Sequence, residues 1–362
     1  MSKKNVVKLI IAILSIVLLL FIFNEIKIIK HWDSDIGLAK IKEDGRRIKY
    51  KNIFGITIVD TNDYAYMGEY NDGLAVVLKD GKYGYIDTKG KIAIDFQYYN
   101  THGFSEGLAM ILTDGRYAFI DKKGNIVIDC SGYDEVYNFS EGLAPVKKDG
   151  KWGYIDKSGN VIVDFQYYRA GGFSDGLAYV EKDVFRRGYI DRSGNVAIDY
   201  QFDLTGNFSE GLAYVSKNEK YGYVDKNGNI VIDYQFDDAN GFSEGLAPVK
   251  KDGKWGYIDQ AGNIVVDYQF DVVYNFSDGL AVVRKNGKFG YVDKNGKIVV
   301  DCIYDSATDF ENGIAFVKSD NKNIKINKKG WDIDTVTIMA ILGCITIIAI
   351  ITYFVARRLK KI

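Results

Sequence analysis

The sequence predicts an all-β tandem repeat array flanked by two transmembrane α-helices. Three observations predict it. The phrase "FSEGLA" or a near copy recurs with its glycine at Gly73, Gly107, Gly142, Gly176, Gly211, Gly245, Gly279 and Gly313, in steps of 34 or 35 residues. A fixed period of this size means stacked supersecondary units. The composition favours strands and tight turns: 27 Tyr, 20 Phe, 38 Gly and only two Pro in 362 residues. Finally, two apolar segments frame the repeats.

In chain order, residues 1–5 are a basic tail and residues 6–26 the first span. From Val6 to Phe23 only Lys8 and Ser15 interrupt the apolar run. Such a run can cross a hydrocarbon core of about 30 Å at about 1.5 Å per residue. The run ends in "FIFNEIK" with no small-x-small cleavage site, which predicts an uncleaved signal-anchor. Residues 27–69 are a linker and a degenerate first repeat around Gly37. The repeats fill 70–329, and 330–335 is a second linker. Residues 336–356, without one charge, form the second span, and 357–362 a basic tail. Lys3, Lys4 and Lys8 precede the first span, and Arg357, Arg358, Lys360 and Lys361 follow the second. Both tails are thus expected in the cytoplasm and the repeats outside it.

One unit is legible in detail. "GLAPVKK" is a strand, "DGK" a hairpin turn, and "WGYID" the returning strand. Period two places Trp152 and Tyr154 on one face and Ile155 on the other. "KSGN" turns again, and "VIVDFQYY" is a third strand whose β-branched run predicts burial on both faces. A polar, Gly-containing loop leads to the next "FSEG". About eight three-stranded units of ~34 residues result, and none can bury enough surface alone. Three strands in 34 residues favour an open β-solenoid over a β-propeller, whose blades usually have four strands and at least about 40 residues.

The copies compared with one another separate roles. The Gly of "FSEG" never varies, which predicts a positive φ. The Gly after the aromatic (Gly84, Gly153, Gly188, Gly222, Gly256, Gly290) is Ala118 in one copy. Smallness is therefore expected there, under a side chain from a neighbouring unit. The aromatic slot holds Tyr83, Tyr117, Trp152, Tyr221, Trp255 and Phe289, with Arg187 as the exception. Pro145 and Pro248 share a slot whose N–H is expected to face solvent or a strand edge.

The stretch "GLAPVKKDGKWGYIDKSGNVIVDFQYY" resembles the WG-repeat (KWG-repeat) proteins of bacteria. The resemblance covers about eight units, most of the chain between the spans. It implies repetitive β-structure and an undefined binding or surface role, with no shared catalytic residues; the two spans add the expectation of a bacterial cytoplasmic membrane. Arg187, Ala118 and the Asp after "VI" depart from the family pattern.

Net charge is −1, with no basic face for nucleic acid. His31 and His102 are the only histidines, and Cys130, Cys302 and Cys344 lie far apart. No zinc spacing, redox pair or nucleophile context results, so no metal, cofactor or enzyme activity is expected. "DKNGN" at Asp225–Asn229 suits an Asx-turn better than a calcium loop, because the third residue is Lys89, Lys123 or Ala261 in other copies. The "FSEG" acids are Asp72, Glu106, Glu141, Asp175, Glu210, Glu244 and Asp278. They either bond a nearby backbone N–H or form a binding rail along the array. The aromatic slot offers the same choice between packing and an exposed sugar-stacking rail. The expected function is a membrane-anchored surface module that binds a cell-wall or glycan polymer or another protein. A spacer or assembly scaffold without a ligand is the alternative.

Overall fold

The computed structural model describes residues 59–184, 186–311, 313–320 and 322–333. It also gives the backbone of strands His31–Asp33, Leu38–Glu43, Arg47–Lys51 and Thr57–Asp60. The expected spans, 6–26 and 336–356, lie outside the described residues. Among the described residues no helix is long and apolar enough to cross a membrane.

The repeating element is a four-stranded antiparallel meander, not a three-stranded one. One sheet runs Glu135–Val136, Leu143–Lys148, Lys151–Asp156 and Val161–Tyr167, each strand beside the next. The additional strand is the segment assigned to the polar loop before "FSEG". It makes only two ladder pairs before the chain bulges, Glu135↔Lys147 and Val136↔Val146. The degenerate copy around Gly37 is a complete sheet, with strands His31–Asp33 to Thr57–Asp60. The last sheet, Ser306–Ala307 to Lys322–Asn327, has three strands. The preference for an open solenoid rested on strand count together with unit length. Four strands per unit remove the first ground, and four-stranded meanders in series are propeller-like blades, here of 34 or 35 residues.

Two tight turns shape each blade. In "SEGL" the acid and the glycine both take positive φ, 52° at Glu141 and 84° at Gly142. In the "DG" turn Asp149 and Gly150 do the same, at 50° and 77°. Positive φ at both central residues is the type I′ hairpin, whose twist matches that of its strands.

The blade 135–167 buries both faces against its neighbours. Leu143, Trp152, Tyr154 and Val163 pack forward against Phe173, Ala178, Val180 and Ile190 of the next blade. Ala144, Val146 and Ile155 pack backward against Met110, Phe119 and Ile128 of the preceding one. The core is thus a series of layers between blades, and the main contacts between sheets join neighbours in sequence.

Two further expectations are corrected. The fourth strand is not buried on both faces: Val161 and Ile162 are exposed and only Val163 of that run is buried. It is the outer edge of its sheet, so it has no ladder partner beyond it. The small slot is not covered by a side chain from another unit. A Cβ on Gly153 would lie 2.5 Å from the carbonyl oxygen of Val163, in the same sheet. The ladder there jumps from Trp152↔Tyr167 to Tyr154↔Val163, so a wide bulge of the fourth strand presses on Gly153. In the second unit Ala118 pairs regularly with Asp129, without that bulge, and a Cβ fits.

Candidate functional site

The repeated polar residues converge on the joints between blades. Each "FSEG" serine donates its hydroxyl to the phenylalanine carbonyl of the next "FSEG". Ser140 Oγ to Phe173 O is 2.6 Å and Ser243 Oγ to Phe276 O is 2.9 Å. Each acid reaches one unit forward as well. Gly142 N–H donates to Glu106 at 3.0 Å, Gly176 to Glu141 at 2.9 Å, and Gly211 to Asp175 at 2.8 Å. Gly245 donates to Glu210 at 2.9 Å, Gly279 to Glu244 at 3.1 Å, Gly107 to Asp72 at 2.7 Å, and Gly313 to Asp278. The acids do form a column, but each carboxylate accepts from the next turn of that column. Three are also ion-paired: Lys157 with Glu106 and Lys294 with Glu244 at 2.9 Å, Lys328 with Asp278 at 2.7 Å.

A second joint residue was not singled out in the sequence: the tyrosine of "WGY". Tyr85, Tyr154, Tyr189, Tyr223, Tyr257 and Tyr291 are fully buried. Tyr154 donates its hydroxyl to Gly171 O at 2.7 Å, and Tyr257 to Tyr274 O at 2.7 Å. Burial pushes these phenols well above their ordinary range, so they remain protonated donors. Their rings meet the next "FSEG" phenylalanine edge-on, with Tyr154–Phe173 centroids 5.1 Å apart. It recurs in six of the eight copies, with Phe119 in the second and Lys325 in the last, and that recurrence was the available signal.

The Asp of each "YID" or "YVD" is an Asx-turn acceptor. Asp156 Oδ1 accepts from Ser158 N and Asn160 N, at 2.9 and 2.8 Å, while Gly159 takes φ 83°. In Asp121, Asp156, Asp191, Asp225 and Asp259 the carboxyl is held below its usual range, first by the side-chain amide of the Asn four residues on. A lowered native pKa contributes stability above the unfolded value and loses it as pH falls through the native value. Thermal melts from pH 7 down to about pH 3 are therefore expected to fall in midpoint below the ordinary carboxylate range of about 4. A flat profile would contradict this account. Among the described residues no group of three or more His, Cys, Asp or Glu side chains is placed to hold a metal ion.

The aromatic slot is largely inside the joints. Trp152 is buried, and Tyr83, Tyr117, Tyr221, Trp255 and Phe289 are half-buried. The slot faces a cation on the neighbouring strand in three units: Lys147↔Trp152, Lys250↔Trp255 and Arg284↔Phe289. Arg187 inverts that pairing. Its cross-strand partner is the buried Glu181, whose carboxylate accepts from Arg187 Nε at 2.9 Å. The exception is thus compensated within its own blade.

A cleft opens between the blade 135–167 and the blade 169–202. Its volume is about 700 Å³, and its walls include Tyr137, Pro145, Lys147 and Trp152 on one side and Tyr168, Arg169, Gly171, Gly172 and Tyr179 on the other. Tyr137 stacks parallel on Trp152, with centroids 5.0 Å apart and planes 3° apart. Lys147 Nζ pairs with Glu135 at 2.6 Å.

Blades of one pattern, latched in series by one set of bonds, define a tandem β-repeat protein with propeller-like units. The chain belongs to the WG containing repeat family, whose model matches residues 63–83, 83–117, 117–152, 152–183, 188–221, 221–255, 255–289 and 289–322. No curated protein sequence matches it significantly. Among solved structures it is similar to the crystal structure of the eukaryotic initiation factor. Identity there is 11% and the TM-score 0.57, over 81% of this chain and 94% of that one. It is also similar to BamB from Moraxella catarrhalis, at 11% identity and a TM-score of 0.42, over 69% of this chain and 91% of that one. The likeness to the initiation factor is one of fold alone.

Proposed function

We propose that the chain is a binding module held at a bacterial cytoplasmic membrane, with its blades outside the cytoplasm, for a cell-wall or glycan polymer. The observation that carries the binding reading is the cleft between blades 135–167 and 169–202, where tyrosine rings lie beside charged groups. A concave site of mixed aromatic and polar lining is the usual form of a ligand site. The membrane reading rests on the two apolar segments and the basic residues at their outer ends. The proposal invokes no catalysis and no nucleic acid.

The continuous ladder between blades favours a second reading, a spacer whose repeats serve only to extend. Glycan-array and cell-wall pulldown measurements on the full chain separate the two. Retention on at least one polysaccharide is expected, and retention on none would leave the spacer. Protease treatment of intact cells is expected to remove the repeats, and their protection would overturn the outside placement.

A further inference from the structure

Resting on that binding reading, we propose that the cleft between blades 135–167 and 169–202 is a subsite for an acidic sugar of a glycan chain. Its volume, about 700 Å³, is within the usual range of ligand pockets. One ring face is fixed for stacking: Tyr137 is held flat on the buried Trp152, yet is itself 47% exposed. The C–H face of a pyranose packs on such a ring with little ordering cost, because the ring is already held.

Charge favours an acid. Lys147 is neutralised by Glu135 at 2.6 Å. Across the cleft, Glu181 alone faces two arginines. Arg187 Nε is 2.9 Å from Glu181 Oε2, and Arg169 Nε lies 3.7 Å from the same oxygen. Glu181 is thus shared by two arginines, and Arg169 is the farther and the more exposed of them. Arg169 lines the cleft with its side chain 64% exposed, and its guanidinium carries a fork of donors. That fork matches a carboxylate with two parallel hydrogen bonds.

The duplicated stretch supplies an internal contrast. Phe139–Asp156 and Phe242–Asp259 are identical in sequence, so both joints receive the same proline, lysine and tryptophan. The second joint has Asn240 in place of Tyr137, Val272 in place of Arg169, and Tyr274 and Asn275 in place of Gly171 and Gly172. The subsite therefore belongs to one joint and not to the repeat as such.

The test uses the full chain in detergent micelles and isothermal titration calorimetry, with oligogalacturonate as the acidic probe and cellohexaose as the neutral one. Oligogalacturonate is expected to bind. Arg169→Gln and Tyr137→Ala are each expected to weaken it by at least about tenfold, from loss of a charge-assisted pair or a ring face. Tyr99→Ala, at an exposed tyrosine of another joint, is expected to bind as wild type with an unchanged melting temperature. Polysaccharide binding by wild type that neither cleft variant weakens would overturn the subsite and leave the binding module standing. Binding of cellohexaose alone would overturn the acidic assignment. No binding to either probe, with retention on another polysaccharide, would place the ligand elsewhere. No retention on any polysaccharide would overturn the binding reading itself.

Discussion

Tyr257→Ala is expected to split one cooperative unfolding transition into two. Tyr257 is fully buried at the joint between the blade 238–270 and the blade 272–304. Its ring meets Phe276 edge-on at 4.9 Å and its hydroxyl donates to Tyr274 O at 2.7 Å. Truncating a buried aromatic to alanine costs about 3–5 kcal/mol. An array of this kind holds together through nearest-neighbour terms, so the loss falls on one joint and not on the whole chain. The blades 272–304 and 306–327 are then expected to unfold first, and the longer block later. Urea denaturation followed by circular dichroism reads this directly. Tyr257→Phe keeps the ring pair and removes one part-buried hydrogen bond, a cost of about 0.5–1.5 kcal/mol. It is expected to retain a single transition. The second unit already manages without that hydroxyl, since Phe119 meets Phe139 in a tilted pair at 4.7 Å. A single transition in Tyr257→Ala, shifted by less than about 1 kcal/mol, would mean that the joints are not held by this pair.

Much of the blade was legible because its determinants are local. A glycine that never varies, next to an acid, marks a two-residue turn with positive φ, and both residues take it. The Asx-turn was legible because Asp156 and Gly159 are three residues apart and their bonds stay within that turn. The first strand was not legible for the opposite reason. Val136 and its equivalents Ala170 and Ala239 join a ladder of two pairs, too short for any alternation to show. What makes that segment a strand is the neighbour "GLAPVKK", which can pair on both of its edges.

The acids show a different limit. Glu141 bonds the turn of the next unit and not its own. Both turns carry the same letters, so the sequence cannot distinguish the two partners by type. Only the spacing between blades decides, and it brings Gly176 N–H to the carboxylate. The cleft is illegible on similar grounds. It needs the small Pro145 on one blade to face Gly171 and Gly172 on the next, and no single repeat contains both. The identical stretch Phe242–Asp259 gives a different joint because the residues facing it differ.

Gly153→Ala is expected to destabilise the chain by about 3 kcal/mol, the upper end of the usual cost of overpacking. The new Cβ would lie 2.5 Å from Val163 O and 3.1 Å from Asp164 C. These are backbone atoms of the bulged fourth strand, so no rotamer change relieves the clash. The equivalent distances at Gly188, Gly222 and Gly256 are all 2.4 Å, so the effect should recur in those copies. Two companion variants separate this mechanism from simple backbone strain. Gly245 has φ +88° with open space around its Cβ position, so Gly245→Ala meets only the left-handed penalty of about 1–2 kcal/mol. Ala118 already carries a Cβ in a regular ladder, so Ala118→Gly relieves no clash and should cost about 0.5–1 kcal/mol of strand entropy plus about 0.8 kcal/mol for one buried methyl. Urea midpoints are thus expected to fall most for Gly153→Ala and less for both Gly245→Ala and Ala118→Gly. If Gly153→Ala proved as mild as Ala118→Gly, the bulge would not be pressing on that glycine. The requirement for smallness would then lie elsewhere. If the order holds, the residue that gives the repeat its "WG" signature is fixed by a carbonyl of its own sheet.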